Sequence, residues 1–135
     1  MSFKKITVAS LLLLGMNLPA ISSAADLTIV NHTKFDSTSI INGGPCSTIL
    51  GEVGITRAGK TNVIPAMRVA FACIGNTSNC KADVYMTAYC HSKGDAAIAT
   101  VVLDTKTGIK SIQMKTNGYA ITGSGFNIIL TSVVK

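Results

Sequence analysis

Residues 54–61, Gly54-Ile55-Thr56-Arg57-Ala58-Gly59-Lys60-Thr61, match the phosphate-cradling pattern G-x-x-x-x-G-K-[ST] letter for letter. Such a loop wraps phosphates in backbone N–H groups while its lysine neutralises charge. Val101-Val102-Leu103 ends in Asp104, which could mimic a magnesium-holding aspartate. The chemistry also needs a strand before the loop and a helix N-terminus after it. Here Asn62-Val63-Ile64-Pro65 follows, β-branched and closed by proline. The stretch therefore reads as a glycine-rich surface loop, and no nucleotide cofactor is expected.

Other reactive residues are equally scattered. Ser78-x-x-Lys81 and Lys106-Thr107-Gly108 look like fragments of a penicillin-binding signature, but that chemistry sets Ser and Lys one helical turn apart. Here both fall in a turn leading into a strand. A Ser-His-Asp hydrolase would have to use His32 or His91, and both read as loop residues. Asp36, Asp83, Asp95 and Asp104 form no paired-carboxylate pattern. Asn31-His32-Thr33 and Asn76-Thr77-Ser78 fit glycosylation sequons and double as turn residues. There is no C-x-x-C, so metal or thiol chemistry is not expected.

The four cysteines gain meaning from the start of the chain. Lys4 and Lys5 precede an apolar run from Ile6 to Leu18, Pro19 breaks it, and Ser22-Ser23-Ala24-Ala25 offers a cleavage site. That is the layout of a secretory signal peptide over residues 1–25. The run is shorter than the ~20 apolar residues that span a bilayer. A secreted or periplasmic protein, residues 26–135, would follow cleavage as a single disulfide-bonded β domain, with no transmembrane span. Without Lys4 and Lys5, ten basic and six acidic residues remain, a formal charge of +4. The basic residues are dispersed and Trp is absent, which speaks against nucleic acid as a partner.

The elements that must carry these residues are strands. Val, Ile and Thr dominate, and helix formers do not gather at helical spacing. Strands are expected at 26–31, 36–42, 61–74 (interrupted at Pro65), 81–89, 97–104, 109–115, 118–122 and 126–134. Turn signals separate them, among them Asn42-Gly43-Gly44-Pro45, Thr107-Gly108 and Gly123-Ser124-Gly125. About eight short strands imply an all-β antiparallel β-sandwich, with an Ig-like arrangement or a small barrel as alternatives. Met67, Val69, Phe71 and Cys73 would share one strand face, and Ala82, Val84, Met86, Ala88 and Cys90 another, the two joined as a hairpin through 74–79. The last strand is apolar on both sides, which predicts a central or doubly covered position.

Strand geometry also prunes the cysteine pairings. Cys80 and Cys90 would lie roughly 30 Å apart along one strand, beyond the ~7 Å reach of a disulfide. Cys73 and Cys80 flank the hairpin loop. The expected bridges are therefore Cys73–Cys80 and Cys46–Cys90, the second pinning the irregular segment 43–60 to the sheet. That segment holds five glycines and is longer than loops usually are without a function or a tether.

Pro45-Cys46-Ser47-Thr48-Ile49-Leu50-Gly51-Glu52, together with Phe71-Ala72-Cys73-Ile74 through Asn79-Cys80-Lys81-Ala82-Asp83-Val84-Tyr85-Met86, resembles small exported proteins of unassigned function from Legionella-like intracellular bacteria. The resemblance implies a secreted or envelope-exposed domain and a candidate virulence-associated secretion substrate. It transfers no catalytic residue. The leading expectation is a non-enzymatic exported sandwich that binds a protein, a glycan or an anionic lipid surface through loop 43–60, with Arg57 and Lys60 as contacts. A small secreted hydrolase and a structural subunit of a surface assembly are the alternatives.

Overall fold

The computed structural model describes residues 25–133, so the leader read at residues 1–25 lies outside the described residues save for Ala25. Eight strands form: β1 Leu27–Asn31, β2 Thr38–Ile41, β3 Thr61–Ile64, β4 Cys80–Tyr85, β5 Ala99–Asp104, β6 Gly108–Met114, β7 Tyr119–Ser124 and β8 Asn127–Ser132. Among the described residues one α-helix, α1, covers Ala66–Ala72, a 3-10 segment covers Ser47–Gly54, and a single 3-10 turn lies at Ser92–Gly94. The strands make two four-stranded sheets, ordered β3-β1-β8-β7 and β2-β4-β5-β6. The expected β-sandwich is thus the observed architecture, antiparallel except where β1 runs parallel to β8.

Alternation of side chains builds the core. Val84, Ala99, Val101, Ile121, Ile128 and Leu130 are buried between the sheets. Each large aliphatic side chain so placed contributes roughly 1.5–3 kcal/mol. A second cluster joins Val69, Cys73, Cys80 and Leu103 beneath α1. At the β5–β6 turn Gly108 has φ +103, and a Cβ there would run into the Gly125 backbone, so only glycine fits.

Three sequence expectations change. Residues 61–74 do not continue as one interrupted strand: β3 ends at Ile64, and α1 begins after Pro65. Pro65 suits a helix start, and Ala66, Ala70 and Ala72 are strong helix formers. Val69 and Cys73, four apart, face inward, whereas Met67, Phe71 and Ile74 face out. The hairpin between 67–73 and 82–90 is therefore a helix–loop–strand unit. The 81–89 strand stops at Tyr85, and the chain turns sharply to Cys90, whose φ of +34 is rare for a non-glycine. The last strand is indeed central, between β1 and β7, but only Ile128 and Leu130 are covered; Ile129 is 37% exposed.

Candidate functional site

The segment 43–60 is folded by its own short-range chemistry. Asn42 and Gly43 both have positive φ and reverse the chain after β2. The 3-10 segment then closes on itself: the Ser47 hydroxyl donates to the Gly54 carbonyl at 2.6 Å and accepts the Ser39 N–H at 2.9 Å. A Cβ at Gly54 would clash with the Ser47 carbonyl, so the glycine serves packing here. Cys46 and Cys90 are joined, with Cα atoms 6.0 Å apart, and Cys73 and Cys80 likewise at 5.3 Å. The first bridge ties the start of the segment to the turn after β4. The second ties the end of α1 to the start of β4.

Arg57 braces the far side of the segment. Its guanidinium forks onto Glu52, with Nε donating to Oε2 at 2.7 Å and Nη2 to Oε1 at 3.0 Å, and Nη1 reaches Asp36 at 2.9 Å. Asp36 also accepts the Ala58 N–H. That backbone bond first, then Arg57, holds the Asp36 carboxyl below its ordinary value. The hydrogen bond from Arg57 does the same for Glu52, and the two carboxylates push Arg57 up. Lys60 stands exposed two residues before Asn62, while its carbonyl accepts the Asn31 N–H. The phosphate-cradle pattern therefore lies between a 3-10 segment and β3, with no helix after its lysine.

In sequence Asn31 reads as part of a sequon or a turn. It is completely buried at the end of β1. Its amide donates to the carbonyls of Phe35 at 2.8 Å and Thr56 at 3.1 Å, and its oxygen accepts the Thr33 N–H and hydroxyl. It thereby fastens the β1–β2 connection to segment 43–60. The Asn-x-Thr spacing, with the side chain reaching two residues ahead, was the available signal.

α1 lies beside the segment. Asp26 accepts the Ala66 N–H, and the Arg68 guanidinium donates to the Leu50 carbonyl, linking the helix to the 3-10 segment. Outside, Met67 is 73% exposed, Phe71 59% and Ile49 66%. Beneath, between the sheets, lies a cavity of about 110 Å³.

A second hollow surrounds the Cys46–Cys90 bridge. There His91 Nε2 lies 3.4 Å from the Tyr85 hydroxyl, with the rings edge to face at 4.8 Å. Burial raises the Tyr85 phenol above its usual range. Asp83 lines the hollow, but its carboxylate accepts the Thr100 hydroxyl. His32 is exposed. Among the described residues, neither histidine hydrogen-bonds a serine or an aspartate side chain. Ser78 and Lys81 are in the turn and on β4, where Lys81 N–H is bound by the Asn42 side chain. Among the described residues no three His, Cys, Asp or Glu gather as metal ligands, and no helix is long and apolar enough to cross a membrane.

Comparison with known proteins fixes the lineage. No curated protein matches the chain. A crystal structure of the Legionella pneumophila type II secretion system substrate NttC is similar over 81% of this chain and 98% of that one, at 27% identity and a TM-score of 0.65. The family model described as "T2SS substrate NttC" matches residues 1–132. The small exported Legionella-like proteins noted in the sequence are this group, and the chain belongs to the NttC family of type II secretion system substrates.

Proposed function

We propose that this protein is an exported, non-enzymatic binding module that meets its partner outside the cell through segment 43–60. Membership of a secretion-substrate family supports the location. One observation supports the mode of action. The segment is irregular yet fastened by the Cys46–Cys90 bridge, the Arg57 fork and Asn31, while Ile49 and Lys60 project from it. Recognition is commonly placed on loops that a rigid scaffold holds still, because less entropy is lost on binding. Lys60 supplies the positive charge offered to an anionic protein, glycan or lipid surface, and Arg57, whose charge Glu52 and Asp36 offset, contributes hydrogen-bond donors beside it. Three of the five Arg57 N–H donors are engaged by Glu52 and Asp36, and two are left for a partner. A partner on a host cell would make the protein virulence-associated.

The test is titration of the mature protein against phosphatidylglycerol vesicles, phosphatidylcholine vesicles, an acidic oligosaccharide and immobilised host-cell extract. Binding should weaken with salt and fall at least tenfold in Lys60→Ala with Arg57→Ala. A double variant that keeps every affinity of the parent removes this segment as the contact surface.

A further inference from the structure

We propose that the inter-sheet cavity is a binding site for a short alkyl carboxylate, with the hydrocarbon end inside and Arg68 holding the carboxylate. The site is separate from the outer contacts of segment 43–60, although Ser47, Leu50, Gly54 and Thr56 of that segment line it from within.

The cavity, about 110 Å³, is slightly smaller than the ~150 Å³ dry cavity that admits benzene. Its walls are aliphatic, with Leu27, Leu50, Val69, Val84 and Leu130 among them. Three of its five hydroxyls already donate to backbone carbonyls. Ser37 donates to the Tyr85 carbonyl, Thr38 to the Thr87 carbonyl and Ser47 to the Gly54 carbonyl. Among the described residues no buried side-chain nitrogen or oxygen lacks a partner. A buried water needs two to four polar partners, and apart from the Arg68 guanidinium at the rim the lining is mostly aliphatic. The suitable guest is therefore apolar.

The charge at the rim sets the other half of the ligand. Arg68 is the one charged residue among those lining the cavity. Its bond to the Leu50 carbonyl uses one of five N–H donors, and among the described residues it makes no ion pair. The guanidinium fork matches a carboxylate in geometry as well as charge. Arg68 stands where α1 meets the 3-10 segment, so a ligand anchored there points its chain inward between the sheets. Met67 and Phe71 on the exposed face of α1 give hydrocarbon a first contact on the way.

The experiment uses the disulfide-bonded mature protein labelled at its methyl groups. Butanoate, hexanoate, octanoate and octanol are titrated while NMR follows the methyls of Leu50, Val69, Val84 and Leu130. Octanoate should move these methyls saturably, and affinity should rise about fourfold per added methylene until the space is full. Ala72→Leu, which fills the cavity, should weaken octanoate at least tenfold. Arg68→Gln should keep octanol binding and lose the preference for octanoate over octanol. No saturable shift at the inward methyls of the parent overturns the proposal, as does a response confined to Met67 and the Phe71 ring. Equal octanoate preference in Arg68→Gln and parent overturns the role of Arg68. Should Ala72→Leu fail to fold, the parent and Arg68→Gln titrations still decide both points.

Discussion

Replacing Asn31 by alanine would strip four hydrogen bonds from a site without solvent access. The neighbours are not equally harmed. The Thr56 carbonyl keeps the Ser37 N–H, and the Phe35 carbonyl keeps the Thr33 hydroxyl. Only the Thr33 N–H, buried with Asn31, is left without its acceptor. An orphaned buried donor costs roughly 1–3 kcal/mol, and each lost amide donation a further ~1 kcal/mol net, so the expected loss is about 4 kcal/mol. For a domain of this size that lowers Tm by roughly 15 °C. Thermal and urea unfolding followed by circular dichroism, with both disulfides intact, measures it. Asn76→Ala, at an exposed turn, is the control and should shift Tm by under ~2 °C. N31D adds a pH signature. The new carboxylate faces two carbonyls, so its folded pKa rises above the ~3.9 of an unfolded aspartate. The folded state then binds the proton more tightly, so the penalty is constant above the folded pKa and stability recovers as pH falls through that value toward ~3.9. An Asn31→Ala Tm within ~4 °C of the parent would refute this reasoning.

Loop closure separates the two bridges. The Cys46–Cys90 bridge closes a separation of 44 residues and the Cys73–Cys80 bridge one of 7, so the chain-entropy model gives roughly 4 and roughly 2.4 kcal/mol. Urea unfolding of the paired Cys→Ser variants should show the first as the larger loss, and the reverse order speaks against that account. Arg57→Ala should flatten the acid limb of the Tm profile. Asp36 and Glu52 are held below their ordinary values, so their contribution is present above about pH 4 and lost as pH falls through the folded values. Asp36 retains the Ala58 N–H, so part of the limb survives; identical profiles for parent and variant rule the brace out. Gly54→Ala should destabilise the 3-10 segment and raise hydrogen exchange at Ile49 and Ile55, because its Cβ meets the Ser47 carbonyl. Unaltered exchange there contradicts the packing argument.

Most strands were legible because period-two alternation and Gly- or Asn-containing turns coincide, as in β5 through β8. The stretch 65–73 was not. Its nine residues, almost all apolar, satisfy both a two-residue and a 3.6-residue period, and the three alanines and the proline start were the tie-breakers. Both cysteine pairs could be named in advance from strand reach, although the hairpin assumed for Cys73 and Cys80 is a helix followed by a loop. The neutralisation of Arg57 was hidden because Asp36 lies 21 residues away and Glu52, five away, meets it only once the segment between them folds. Arg68 stood in an apolar run where nothing in the pattern distinguished a rim from a strand face. The cavity is a property of how two sheets and a helix fail to fill space, which no local pattern encodes.

The parallel pairing of β1 with β8 carries a consequence for the order of events during biosynthesis. The first strand made has its antiparallel neighbour β3 early, but the sheet stays in two pieces until the last strand slides between β1 and β7. Joining residues some hundred positions apart imposes a loop-closure delay, so folding is slow and governed by topology. A chain still emerging from a ribosome or a translocation pore is therefore held open by its own connectivity, and this sheet closes only once β8 has been released.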